Sequence, residues 1–275
     1  MNTFVKSHGL GNDYIIFDEE KITFPLTPKN IQKICHRNYG IGSDGILLFR
    51  KIDDLTFSVR IFNPDGSEAE KSGNGIRILA KFLYEHKYTN LTKFQINTLG
   101  GKVEVNLEVE KEKVKSIEVE MGKVNFIDID KEIEVNNNKI KIVSLNIGNP
   151  HCVFFVEKID EEYIKNIGPH IENHPLFPQR TNVQMVKVLS SDTIEIRIWE
   201  RGAGYTLASG SSSCASACAA YKKGFVREKV KVVMPGGELE VIIKPNWEVI
   251  LKGPAQEIFK GELSEEFLKD LIGIP

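Results

Sequence analysis

The chain has 275 residues, with 36 Lys and Arg against 38 Asp and Glu and a formal charge of −2 at pH 7. That length suffices for two cores of roughly 100 to 150 residues each. The even charge, without a basic block or acidic tail, argues against a nucleic-acid or membrane-surface partner and for a small polar ligand. No apolar signal core follows Met1-Asn2-Thr3-Phe4-Val5-Lys6, and no apolar run approaches the roughly 20 residues of a membrane span, so a cytosolic protein is expected.

In chain order, Tyr14 to Phe17, Ile46 to Phe49 and Phe57 to Phe62 read as strands from their apolar runs and alternation. A long helix is predicted from near Gly73, because Ile76, Leu79, Ala80, Phe82, Leu83 and Tyr84 recur at helical spacing. Strands follow over 94–97, 102–109, 114–120, 139–143 and 152–156, with Asn136-Asn137-Asn138 as a hairpin turn. Beyond a strand at 193–199, the Ala-rich stretch Cys214 to Tyr221 predicts a second helix, its small residues suited to close packing on all sides. Strands at 229–233 and 238–243 and a helix at 264–272, expected to pack on the first half, complete the list. Cys35, Cys152, Cys214 and Cys218 lack metal-ligand spacing and read as structural free thiols. Gly40-Ile41-Gly42-Ser43-Asp44-Gly45 has dinucleotide-loop spacing, but the apolar run after it is a strand rather than a helix, so a hairpin or tight turn is predicted. Neither a phosphate loop nor a paired-histidine metal motif occurs, and no cofactor and no metal are expected.

The second half repeats the first at an offset of 137. Arg60-Ile61-Phe62-Asn63 aligns with Arg197-Ile198-Trp199-Glu200, Ser72-Gly73-Asn74-Gly75 with Ser209-Gly210-Ser211-Ser212, and Gly11-Asn12 with Gly148-Asn149. One residue out of step, Leu99-Gly100-Gly101 pairs with Pro235-Gly236-Gly237. Glycines and small polar residues rarely match through hydrophobic patterning alone, so agreement there points to duplication. Both copies run strand, polar turn, helix. Taken singly, Ser72 and Ser209 are N-caps beside turn glycines. Taken as a repeated pair, the two helix starts offer free backbone N–H groups and positive dipole ends suited to a carboxylate.

These segments resemble the diaminopimelate epimerase family. The resemblance is carried by His8-Gly9-Leu10-Gly11-Asn12-Asp13-Tyr14, by Phe62-Asn63-Pro64-Asp65-Gly66-Ser67 with Gly73-Asn74-Gly75-Ile76-Arg77, by Gly148-Asn149-Pro150-His151-Cys152-Val153, by Arg180-Thr181-Asn182 and by Glu200-Arg201-Gly202-Ala203-Gly204. It runs over essentially the whole chain. It implies an α/β fold of mixed α+β type with two pseudo-symmetric domains, each a curled mixed sheet around a central helix. The expected domains are 1–118 with the terminal helix 263–275, and 119–262. It also implies a homodimer and cofactor-free inversion at an amino-acid α-carbon, LL- to meso-diaminopimelate if the substrate is unchanged, in lysine or cell-wall precursor synthesis. In that chemistry a base takes the α-proton from one face while an acid protonates the other, and the helix ends stabilise the developing enolate.

The residues matching the family's acid and base are Ser72 and Ser209, where the family normally has cysteines. An alcohol titrates near the ~15.7 of water and a thiol near 8.5, so forming the base costs about 10 kcal/mol more. A helix terminus returns only about 2. An activating neighbour is therefore required, and the resemblance offers His151 and Glu200 as proton acceptors or as oriented hydrogen-bond partners. Substitutions at Lys71, Tyr205 and Ser211-Ser212-Ser213 also depart from the family, which suggests a lineage of its own rather than replacement of two cysteines alone. Asn63, Asn182 and Arg201 match positions that hold the far end of the substrate, and Asn12 and Asn149 match further polar contacts. Gly73, Asn74, Gly210 and Ser211 belong to the helix starts. Gly45 stands where some members have a glutamine that contacts ligand. Three readings remain: an epimerase using the serine pair, an isomerase or lyase on a related amino acid, and a non-catalytic amino-acid-binding protein.

Overall fold

The computed structural model describes residues 2–273; Met1, Ile274 and Pro275, at the ends of the expected ranges, lie outside them. Two compact units form. One runs to Val119 and takes in the stretch from Pro254 onward, and the other is Glu120–Gly253.

In the first unit, β1 (Thr3–Gly9) turns back into β2 (Asn12–Asp18) through Leu10 and Gly11, both at positive φ. Helix α1 (Pro28–Cys35) starts on a Thr27 cap with a proline in its first turn and buries Ile31, Ile34 and Cys35. Strand β3 (Ile46–Lys51) lies parallel to β2, and β4 (Thr56–Phe62) returns antiparallel to it. A short β5 (Glu68–Ala69) leads into α2 (Gly73–Glu85). Then β6 (Lys93–Thr98) runs parallel to β4, followed by the meander β7 (Gly101–Glu110) and β8 (Lys113–Lys123). Along β7 buried and exposed residues alternate, the mark of a sheet with one face packed.

The second unit opens with β9 (Asn125–Val135) and β10 (Asn138–Asn146), joined by Asn136 and Asn137 at φ 52° and 61°, as the Asn-rich turn predicts. It continues through β11 (Pro150–Phe155), α3 (Glu161–Glu172), β12 (Asn182–Ser190), β13 (Thr193–Glu200), β14 (Gly204–Thr206), α4 (Gly210–Lys222), β15 (Lys229–Met234), β16 (Gly237–Ile243) and β17 (Glu248–Gly253). The chain then returns to the first unit as β18 (Gln256–Glu262), antiparallel to β1, and α5 (Glu265–Ile272). Leu271 of α5 joins Phe17, Ile31 and Ile34 in one apolar cluster, and Asn30 Nδ2 donates to Leu271 O. The segment 254–262, placed with the second half by the sequence division, thus pairs inside the first unit.

The duplication extends to strand register. Ile15 pairs with Ile46 and Cys152 with Val183; Ile46 pairs with Phe62 and Val183 with Trp199; Ile61 pairs with Ala69 and Ile198 with Thr206. Every partner is displaced by 137. Each unit wraps its strands on one helix: α2 touches β1, β2, β7 and β18, and α4 touches β10, β11, β12, β13, β15, β16 and β17. Nearly all of each helix is buried, although α4 is built from Ser, Ala and Cys and α2 from larger residues. No helix among the described residues is long and apolar enough to cross a membrane.

Candidate active site

In the first unit, β5 delivers the chain to the start of α2, where Ser72 is the N-cap and its Oγ accepts the Gly75 N–H at 3.1 Å. A polar chain of one sense runs beside it. Arg77 Nη2 donates to Asn74 Oδ1 (2.8 Å), Asn74 Nδ2 to Asn12 Oδ1 (3.1 Å), and Asn12 Nδ2 to Asp44 Oδ2 (3.1 Å). Arg37 closes the chain by donating to Asp44 Oδ1 at 2.7 Å. Both asparagine amides are thereby oriented. Arg77 is fully buried and also donates to the carbonyls of Gly73 and Pro254, so the buried cation is solvated by fixed protein oxygens. Burial alone would push the Asp13 carboxyl up, but hydrogen bonds from Lys6 and Arg37 win and hold it below its ordinary value. Asn63, the remaining expected contact in this unit, is held in its own turn, with Nδ2 donating to Ser67 Oγ at 2.9 Å.

In the second unit, Ser209 is the N-cap of α4, and its hydroxyl makes no capping bond, unlike that of Ser72. Gly210 and Ser211 begin the helix, Gly210 buried and Ser211 partly exposed. His151, on β11, is wholly buried; Nε2 is 2.8 Å from Asn149 Oδ1, which makes Nε2 the protonated nitrogen of a neutral ring. Burial and the nearby Arg201 charge lower its pKa from 6.5 to about 3, against a smaller opposing effect of Gln184. Such a ring is a weak proton acceptor at neutral pH and a good orienting group. His151 Nδ1 and Gln184 Oε1 are both left without partners, while Gln184 Nε2 donates to Ser212 Oγ. With the Gln184 amide turned over, Nε2 would serve His151 and Oε1 would accept from Ser212, leaving neither orphan.

Asn182 is buried with its amide engaged at both ends. Nδ2 donates to Pro150 O (2.9 Å), and Oδ1 accepts from Arg201 N (3.0 Å), so it clamps the loop that carries Arg201. The exposed Arg201 guanidinium donates to Gln179 O. Glu200 Oε1 accepts from Thr206 Oγ1 at 2.7 Å. Beneath this loop the buried Glu172 accepts Trp199 Nε1–H (2.7 Å), Gly202 N–H (3.0 Å) and Arg180 Nη1–H (3.1 Å).

Each unit thus brings its own expected residues to one helix start: Ser72, Gly73, Asn74 and Asn12 in the first, and Ser209, Gly210 and Ser211 in the second, with Asn149 and His151 bonded together. Tyr14, Asp44, Arg77, Glu172 and Gln184 were missing from the expected set. Asp44 lies inside the glycine segment set aside as a turn, which links α1 to β3. Arg77 was visible only as the last residue of the Gly73-Asn74-Gly75-Ile76-Arg77 segment. All four cysteines are free and buried, and burial pushes the Cys35, Cys152 and Cys218 thiols up, as expected of inert structural thiols.

The fold is shared with amino-acid racemases and epimerases. A hydroxyproline epimerase from Agrobacterium vitis superposes with a TM-score of 0.74 at 12% identity, covering 95% of this chain and 90% of that one. A probable proline racemase from Agrobacterium radiobacter K84 gives 0.70 at 14% identity, covering 96% and 93%. Sequence narrows the class: the diaminopimelate epimerase family profile matches residues 4–127 and 143–258. Diaminopimelate epimerase 2 of Nostoc sp. is 48% identical over 276 residues, covering 96% of each chain. The diaminopimelate epimerase of Moorella thermoacetica is 39% identical over 94% of this chain and 98% of its own. The chain belongs to the diaminopimelate epimerase family.

Proposed function

We propose that the protein is a cofactor-independent isomerase that epimerises an amino acid at its α-carbon, converting LL- to meso-diaminopimelate within lysine biosynthesis, as a cytoplasmic homodimer. Each unit carries one helix start, and each helix start offers backbone N–H groups suited to a carboxylate and one capping hydroxyl suited to proton transfer. The repeat of Ser72 on α2 and Ser209 on α4 at equal positions is the observation that carries this reading. Asn12, Asn74, Asn149 and the Asn182-clamped Arg201 supply polar recognition, with Arg201 offering a two-pronged contact to a carboxylate. Asn63 and Glu200 stand at equivalent positions and face the remaining polar groups of the substrate in this proposal.

Alcohols in place of thiols favour one second reading, a protein that binds the same amino acid without inverting it. Incubation with LL-diaminopimelate in heavy water separates the two. Epimerisation predicts deuterium at the α-carbon, increased by orders of magnitude in the Ser72→Cys/Ser209→Cys variant. Saturable binding with no exchange in either protein would establish the binder instead, and a new unsaturated product would establish a lyase or a different isomerase.

A further inference from the structure

The two copies of the repeat carry different rings at one register position. Ile15 is anchored to Ile46 and Cys152 to Val183, and 152 − 15 and 183 − 46 are both 137. Immediately before each anchor stands a ring, Tyr14 in the first copy and His151 in the second. Ser72 and Ser209 are related by the same offset. The sequence reading offered His151 and Glu200, both in the second half, as activating neighbours. The first serine had none.

The structure supplies one. Tyr14 Oη lies 3.2 Å from Ser72 Oγ, within hydrogen-bond reach, and Tyr14 is only 7% exposed. Ser72 Oγ also accepts the Gly75 N–H, so negative charge developing on this oxygen would meet a backbone donor, a phenol and the positive end of α2. Gly45 makes room for the phenol: a Cβ there would stand 2.7 Å from Tyr14 Cε1 and 2.5 Å from Phe62 O. The equivalent position in the second copy is Asn182, beside the smaller imidazole. Lys6 and Asp13 pair with each other on the opposite face of the β1–β2 hairpin from Tyr14, Arg37 bonds Asp13 and Asp44, and the charge on α2, Arg77, is bonded to Asn74.

We infer that Tyr14 is the partner through which Ser72 exchanges its proton, a positioning and relay residue peculiar to the first copy of the repeat. This rests on the epimerase reading. In the deprotonating direction the Cα–H bond breaks and leaves its electron pair on the substrate enolate. The proton bonds to Ser72 Oγ, while the proton already on Oγ passes to the Tyr14 phenolate, giving neutral serine and neutral phenol. In the reverse direction Ser72 protonates the α-carbon and Tyr14 returns a proton to Ser72. The phenolate forms when the phenol gives its proton to bulk water; an ordinary phenol, titrating near 10, is ionised in about one molecule in a thousand at pH 7. The corresponding fraction for a free alcohol is about five to six orders of magnitude smaller.

Deuterium uptake into LL- and meso-diaminopimelate, followed from about pH 6 to about pH 10 with the full chain, tests the assignment. The proteins compared are the chain itself, Tyr14→Phe, Ser72→Cys and Ser72→Cys/Tyr14→Phe. We expect Tyr14→Phe to lower kcat at least about tenfold with KM within about threefold, and to remove the rise of rate toward high pH. In the Ser72→Cys background the same change should alter kcat by less than about threefold, because a thiol near 8.5 needs no relay. Equal losses in both backgrounds, or a Tyr14→Phe profile that overlays that of the unaltered chain, overturn the inference. If neither the unaltered chain nor Ser72→Cys/Ser209→Cys exchanges deuterium, the epimerase reading is what fails. Ultraviolet titration then decides the pair: Ser72→Ala should shift the ionisation of one of the seven tyrosines, and an unchanged curve overturns the assignment.

Discussion

Glu172 should matter for ligand binding although it lies beneath the loop rather than in it. Glu172→Gln preserves shape but leaves one oxygen where two now serve three donors: Trp199 Nε1–H, Gly202 N–H and Arg180 Nη1–H. With the amide oxygen at the Oε1 position the NH2 group faces Trp199 Nε1–H alone, and with it at the Oε2 position the NH2 group faces both Gly202 N–H and Arg180 Nη1–H, so at least one donor is always left without an acceptor. A buried donor without an acceptor costs roughly 1 to 3 kcal/mol, and the surviving bonds lose their charge assistance at about 1 each. The Arg180 part is discounted because that side chain is 54% exposed. About 3 kcal/mol results, or a fall in Tm of roughly 6 to 12 °C at ~2 to 4 °C per kcal/mol. Differential scanning calorimetry with Trp199 fluorescence measures it, and diaminopimelate affinity should weaken in step because Gly202 anchors the Arg201 loop. Glu162→Gln, an exposed carboxylate beside Lys165, is the control and should change stability by less than about 0.5 kcal/mol. A Glu172→Gln melt within about 2 °C of the parent would refute the claim that Glu172 holds this loop.

Arg77→Met strips the donors from Asn74 Oδ1, Gly73 O and Pro254 O together; a loss of about 3 kcal/mol and at least tenfold weaker ligand binding are expected by thermal melt and titration calorimetry. Gly45→Ala forces a methyl against Phe62 O and the Tyr14 ring, an overpacking cost of roughly 1 to 3 kcal/mol readable in urea unfolding, with Tyr14 displaced from Ser72. His151 gives the pH dependence: its folded pKa is lowered to about 3 from 6.5, so its stabilisation is complete above about 6.5 and is lost as pH falls toward about 3. The amount lost reaches about 5 kcal/mol, and His151→Gln should flatten the stability profile across that window in acid unfolding experiments.

Most strands were legible because alternation and Gly or Asn punctuation are local signals. The Asn136-Asn137 hairpin and the helix starts at Gly73 and Gly210 fall where those signals put them. Helices α1 and α3 were not read. The first has only eight residues, and the second contains Pro169, whose ring and missing N–H break the helical pattern. Strand β12 escaped because its core residues include Asn182 and Gln184, buried polar side chains that hydrogen bonds satisfy in space rather than in sequence. The same holds for the site. Tyr14 with Ser72, Asn74 with Asn12 and Asn12 with Asp44 are separated by 58, 62 and 32 residues, so their meeting depends on the β2–β3 register and the placement of α2.

A duplicated backbone with unequal side chains explains how binding and acid–base chemistry could drift apart here. Carboxylate recognition at a helix start is made largely by main-chain N–H groups, which survive replacement of a capping thiol by a hydroxyl. In the proposed reading proton transfer depends on the capping hydroxyl, which both copies share, and on its surroundings, which differ: Ser72 has the Tyr14 phenol and the Gly75 N–H, whereas Ser209 makes no capping bond. Tyr14 requires Gly45, since even a methyl group there would collide with the ring, whereas His151 coexists with Asn182, whose amide is committed to the Arg201 loop. Exchanging either member alone therefore costs packing or leaves a polar group unpaired. The phenol beside Ser72 and the pinned neutral imidazole of the second unit are consequently two coupled solutions, and introducing thiols at 72 and 209 exchanges the proposed reactive atoms while leaving the Tyr14–Gly45 and His151–Asn182 pairs in place.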